Sequence, residues 1–186
     1  MKTMKVVCIS GSPRKRNTEK LITTAAKHLK EAGAEVIEIY LSRFSPATCD
    51  GCLECDETGK CHHDDGMNEL NEHLASADAL VIGTPARWAL LSGSLKTFID
   101  RTNPLAKPRR LKDKKVAIIA VGQCEGEDAQ SIRKAARSVR NFCDDAGMQI
   151  VGQLIVEGAL MPGDVEKKPE ALRRVKQLSR KLLSAC

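Results

Sequence analysis

Short apolar runs rich in β-branched residues alternate with longer stretches in which apolar positions recur every three or four residues, and the alternation continues along the whole chain. The runs Val6 to Ile9, Val36 to Leu41, Ala79 to Gly83, Val116 to Val121 and Ile150 to Val156 predict strands. Between the first two, Leu21, Ile22, Ala25, Ala26, Leu29 and Ala32 keep helical spacing, and Gly33 supplies the stop. A second helix is expected from Met67 to Ala75 and a third from Ser94 to Arg101, with Leu95, Phe98 and Ile99 inward. The fourth carries Ile132, Ala135, Ala136, Val139 and Phe142 and ends at Gly147. Pro169 opens the fifth, with Leu172, Val175, Leu178 and Leu182 on one face. Five strands alternating with five helices predict an α/β fold, a doubly wound parallel sheet covered on both faces.

A chain of 186 residues suits one domain, 1–186. No repeat, low-complexity tract or linker marks a second one. In a sheet of this kind ligands bind at the carboxyl ends of the strands, near the point where strand order reverses. Three segments fall there: Ser10 to Thr18, Thr84 to Gly93, and Gly122 to Gly126. The net charge of +6 is modest, and its densest source, Lys107 to Lys115, has no interleaved aromatic residue, which argues for a solvated loop over a nucleic-acid surface. No apolar run approaches the ~18 residues needed to cross a bilayer. Met1 to Lys5 leads into only a short apolar stretch without a cleavage site, so a cytoplasmic protein with reduced thiols is expected.

Composition changes the picture at residues 45–66, a Cys-rich loop inserted between the second strand and second helix. Cys49, Cys52, Cys55 and Cys61 form a C-x2-C-x2-C-x5-C run whose spacers are polar or Gly apart from Leu53, and read as loop. Such density points first to an iron-sulfur cluster, the known bacterial run being C-x2-C-x2-C-x3-C. Zinc is the main rival, although structural zinc sites usually divide their ligands into two separated pairs. Redox-active or vestigial thiols are the third reading. His62 and His63 are taken as solvated loop histidines, because adjacent residues rarely aim at one metal. Cys8, Cys124, Cys143 and Cys186 share no spacing and read as core or terminal thiols.

The segment Ser10-Gly11-Ser12-Pro13-Arg14-Lys15-Arg16-Asn17-Thr18 joins a buried strand to a helix start and offers hydroxyls, backbone N–H groups and arginines, which are what a phosphate requires. It matches neither the dinucleotide G-x-G-x-x-G nor the Walker loop. The plainer reading is a capped turn with Asn17 or Thr18 as N-cap. Thr84 to Gly93 holds the only tryptophan, and a flat ring bound there would lie against Trp88 and the Pro85 to Arg87 backbone. Packing of Trp88 under its loop or at a subunit interface is the competing reading.

Taken together, Gly11-Ser12-Pro13-Arg14 with Asn17-Thr18, the Cys run followed by Asp64-Asp65-Gly66-Met67, and Gly83 to Trp88 through Ser92-Gly93 to Leu95-Lys96-Thr97-Phe98-Ile99-Asp100-Arg101 resemble the NADPH-dependent FMN reductase family of flavodoxin-like proteins. The complete Cys run resembles its iron-sulfur flavoprotein branch. The resemblance covers roughly the first 100 residues well and the rest by element order. It implies a flavodoxin-like fold and FMN, with Ser10, Ser12, Arg14, Asn17 and Thr18 toward the phosphate, Pro85, Ala86, Arg87 and Trp88 along the ring, and Gly122 at the same edge. It also implies a [4Fe-4S] cluster on Cys49, Cys52, Cys55 and Cys61 and a homodimer or homotetramer. Arg87 stands where the family often has Tyr, a departure that bears on flavin potential and substrate access.

Three functions follow. The chain is an electron carrier between a ferredoxin-like donor and a small-molecule acceptor, an NAD(P)H-dependent FMN or quinone reductase with secondary cysteines, or a redox or metal sensor. No side chain is an obvious proton donor, so no catalytic residue is assigned and the cofactors would carry the chemistry.

Overall fold

The computed structural model describes residues 3–186; Met1 and Lys2, where the reading on signal peptides begins, lie outside them. The strands are β1 (Lys5–Ser10), β2 (Glu35–Tyr40), β3 (Ala79–Pro85), β4 (Lys115–Val121) and β5 (Gln149–Val156). They pair in parallel in the order β2-β1-β3-β4-β5, the flavodoxin-like arrangement, so the order reverses between β1 and β3. Side chains alternate across the sheet: Val7, Ile9, Val116 and Ile118 face one core, while Val6, Cys8, Ala117 and Ile119 face the other. Burial on both faces explains why the strands read as continuous apolar runs.

Helices α1 (Asn17–Glu31) and α6 (Pro169–Ser184) cover one face. The other is covered by α3 (Met67–Ser76), α4 (Gly93–Asp100) and α5 (Gln130–Asp145). Each fully buried Leu or Ile, such as Leu80 or Ile118, contributes about 1.5–3 kcal/mol. No helix among the described residues is long and apolar enough to cross a membrane.

Several local expectations need correction. The Cys-rich segment is not all loop, because Glu54–Thr58 forms a short helix, α2, between Leu53 and Gly59, both with left-handed backbone. None of its side chains is buried, so no apolar period announced it; its acidic first turn favours the helix dipole instead. Helix α1 starts without a side-chain cap, since Asn17 donates to Met161 O at 2.9 Å and accepts from Val165 N–H at 3.4 Å. The basic stretch is the mostly exposed loop expected, held to the fold at three points. Lys107 pairs with Asp56 at 2.8 Å, Arg110 grips Glu72 through two bonds of 2.7 and 2.8 Å, and Lys114 donates to Ala75 O at 2.8 Å.

Candidate functional site

Two loops meet where the strand order reverses. Gly11 N–H donates to Gly83 O at 2.8 Å, and the Ser92 hydroxyl donates to Gly11 O while accepting Leu95 N–H at 3.2 Å as the N-cap of α4. A methyl at Gly11 would stand 2.8 Å from Gly83 O and 2.8 Å from Leu95 Cβ, so the loops come this close only with glycine. Ser12 closes the next turn, its Oγ accepting from Arg14 N–H at 3.1 Å.

A cavity of about 480 Å³ opens at this edge, within the ordinary size of ligand pockets. Ser12, Arg14, Asn17, Thr18, Pro85, Ala86, Arg87, Trp88 and Gly122 all line it. Ser10 does not: it ends β1 wholly buried, with Oγ enclosed in the sheet and unpartnered. Three guanidinium groups, Arg14, Arg16 and Arg87, crowd one wall. Burial first, then repulsion from Arg87 and Arg16, pushes the Arg14 pKa below its ordinary value. Arg14 Nε is buried without a hydrogen-bond partner. Mutually repelling cations around an unsatisfied donor form a site that a bound dianion would relieve on both counts. These residues fit a flavin phosphate.

Above the cavity, Arg87 and Leu90 exchange backbone hydrogen bonds of 2.9 Å, closing a turn on Trp88 (φ 49°) and Ala89 (φ 62°). Two successive left-handed residues make the primed turn that usually selects Asn or Gly. It holds Trp88 99% exposed at the cavity mouth, so packing of this ring under its own loop is ruled out. Gln123 and Cys124, within the expected Gly122 to Gly126 segment, also line the cavity, whereas Ser131, Ala159 and Leu160 fall outside the three expected segments. Ala159 and Leu160 follow β5, whose carboxyl end the same edge rule could have included.

The four cysteines surround a second, smaller recess of about 20 Å³, together with His63, Arg101 and Asn103. Loop ends are tied by Arg101, whose side chain is wholly buried. Its Nη1 donates to Ala47 O at 2.8 Å and to Asp65 Oδ2 at 2.7 Å, and Nη2 donates to Asp65 Oδ1 at 2.9 Å. Asp65 also accepts Ala47 N–H at 3.0 Å and Met67 N–H at 3.3 Å. Arg101 above all draws the Asp65 pKa down to about 2, against the opposing effect of burial. Asn68 adds a reciprocal pair to the Cys61 backbone, both bonds 2.8 Å.

His62 and His63 do converge, contrary to expectation: their Nε2 atoms lie 3.1 and 3.4 Å from the same Asp50 oxygen. His62 Nδ1 lies 3.1 Å from Cys52 Sγ, and His63 is partly buried. Neighbouring loop residues can share a target when the turn between them is tight, which spacing alone does not reveal. Arg101 and Asn103 carried no assigned role in the sequence because their meeting with the cysteines depends on where α4 ends.

Residues 4–159 match the family model described as NADPH-dependent FMN reductase. The chain is 30% identical over 181 residues to an iron-sulfur flavoprotein of Methanosarcina thermophila, covering 96% of this chain and 93% of that one. It is 39% identical over 145 residues to an iron-sulfur flavoprotein of Methanocaldococcus jannaschii, covering 75% and 70% respectively. The solved NAD(P)H:quinone oxidoreductase from Methanothermobacter marburgensis superposes with a TM-score of 0.73 at 20% identity, over 97% of this chain and all of that one, and shares the fold. A sheet of flavodoxin-like order, a cationic cavity at its reversal point and matches of this extent establish the chain as an FMN-dependent oxidoreductase that belongs to the NADPH-dependent FMN reductase family, among the relatives named iron-sulfur flavoproteins.

Proposed function

We propose that this chain is an iron-sulfur flavoprotein that passes electrons between a ferredoxin-like donor and a small-molecule acceptor, acting as one domain, 1–186, with the cluster loop at 45–66. The observation that carries the reading is the coexistence of two cofactor-shaped sites: a cavity with a buried, unpartnered Arg14 Nε, and a recess lined by four cysteines against the buried Arg101. FMN would be held with its phosphate toward Ser12, Arg14 and Thr18 and its ring along Pro85, Ala86, Arg87 and Trp88. A [4Fe-4S] cluster would take Cys49, Cys52, Cys55 and Cys61 as its ligands. When bound, the flavin supplies one- and two-electron chemistry and the cluster one-electron chemistry. The donor set fits such a cluster, since all four thiols line one recess and two of them, Cys49 and Cys52, are exposed.

The two sites share no lining residue and lie toward opposite ends of α4, whose eight residues span about 12 Å. A homodimer or homotetramer that sets one protomer's cysteine loop beside its partner's cavity would shorten that path.

Direct reduction by NAD(P)H is the second reading, favoured by the open cavity beneath the exposed Trp88. Anaerobic purification followed by iron, sulfide and zinc analysis tests the cluster, with about four irons and four sulfides per chain expected. Stoichiometric zinc without sulfide would sink the carrier reading. Stopped-flow reduction separates the two donors. Cys55→Ser is expected to retain FMN and lose reduction by a ferredoxin-type donor, whereas rapid NADPH reduction that survives Cys55→Ser would favour the reductase.

A further inference from the structure

Four of the five donor hydrogens of the Arg101 guanidinium sit on Nη1 and Nη2, which are engaged with Ala47 O and Asp65. The fifth, on Nε, is buried and has no partner. An unsatisfied charged donor at such depth is costly unless a bound group accepts from it. Arg101 is only 1% exposed, yet it lines the recess that the four cysteines surround. Two residues further on, Asn103 lines the same recess and directs Nδ2 toward Cys55 Sγ at 3.9 Å. Pro104 and Leu105 are buried in the short 3-10 turn Asn103–Leu105, which fixes the Asn103 backbone against the fold. The helix end thus presents two N–H donors, one of them cationic, to the cysteine set from the protein side, while solvent bounds its exposed side.

We propose that Arg101 and Asn103 are positioning residues for the cluster, donating hydrogen bonds from Arg101 Nε and Asn103 Nδ2 to its sulfur atoms and thereby raising its reduction potential. This inference rests on the cluster reading above. One electron arriving from the ferredoxin-like donor adds one negative charge to the cluster, with no bond to the protein made or broken. A fixed guanidinium and an oriented amide stabilise the more negative state, because hydrogen bonds to cluster sulfur and local charge set such potentials. Burial removes the water that would otherwise weaken the guanidinium's contribution, whereas the exposed Asn103 amide acts through its fixed backbone. The Asp65 pair keeps Nη1 and Nη2 occupied, so Nε is the donor left for the recess.

The test uses the anaerobically purified, FMN-loaded full chain, with the cluster followed by electron paramagnetic resonance and the flavin by absorbance during redox titration. Arg101→Lys keeps the charge and removes the Nε donor; Asn103→Leu removes the exposed donor without disturbing buried charge. Each variant is expected to retain iron and sulfide and to bind one electron about tenfold less favourably, a fall of about 59 mV in the cluster potential. The flavin potential should not move, which a general structural role would not explain. Wild-type protein without iron and sulfide overturns the cluster reading and this inference with it. Intact clusters with unchanged potential in both variants overturn this inference alone. If Arg101→Lys does not fold, Asn103→Leu decides on the same criterion.

Discussion

Replacing Asp65 with Asn isolates the interaction that closes the cysteine loop. Asp65 is three-quarters buried and holds Arg101, which has no route to water, so the substitution leaves a buried cation facing a neutral amide. The lowering of its pKa from 3.8 to about 2 corresponds to about 2.4 kcal/mol of preference for the ionised form in the folded chain. Removing one partner of a fully buried pair costs about 3–5 kcal/mol. The remaining exposure of Asp65 and the retained amide oxygen place the expected loss at about 2–3 kcal/mol. Because the folded-state pKa is depressed, this contribution is complete above the unfolded value near 4 and fades only as pH falls toward 2. The difference between wild type and Asp65→Asn should therefore be constant from about pH 5 to 8. Anaerobic urea unfolding measures it, with Lys107→Ala, which breaks the exposed pair to Asp56, as a control expected to show no measurable loss. A difference below about 0.5 kcal/mol, or one that varies between pH 5 and 8, would refute the reasoning.

Arg14→Ala should weaken FMN by about 1.5–3 kcal/mol, the scale of a hydrogen bond to a charged group, and Ser12→Ala by less, since its hydroxyl is partly spent on the Arg14 backbone. Flavin fluorescence titration reads both, and unchanged affinity would put the phosphate elsewhere. Burial, the main cause in each case, pushes the Cys143 thiol up to about 12 and Cys8 further still. Iodoacetamide near pH 7.5 should leave both unmodified in native protein; mass spectrometry showing either alkylated would mean that the helix layers open far more readily than their packing implies.

The sheet and its five long helices were legible because each element buries one face or two, and burial writes a period into the sequence. Val116 to Val121 and the Ile132 to Phe142 face are examples, with boundaries displaced by a residue or two. The cavity segments were legible for a topological reason, since ligand loops gather at the carboxyl edge. Signals without a period were lost: α2 buries nothing, and the side chain of Asn17 caps no helix but reaches Met161, far along the chain. Ser10 was misplaced because a polar residue at a strand end reads as an available ligand even when the sheet encloses it. The Asp65–Arg101 closure joins residues 36 positions apart and leaves no local trace.

Helix α4 begins where Ser92 holds Gly11, between the two loops that supply most of the cavity wall, and ends at the cysteine recess, where Arg101 holds Asp65. The two pockets therefore have separate walls on one rigid strut, and neither needs the other to be shaped. On the function proposed above, cofactor loading is therefore modular: oxygen damage that strips iron and sulfide from the loop should leave a folded, flavin-binding protein, and a chain of this architecture could shed its cysteines in evolution while keeping its flavin.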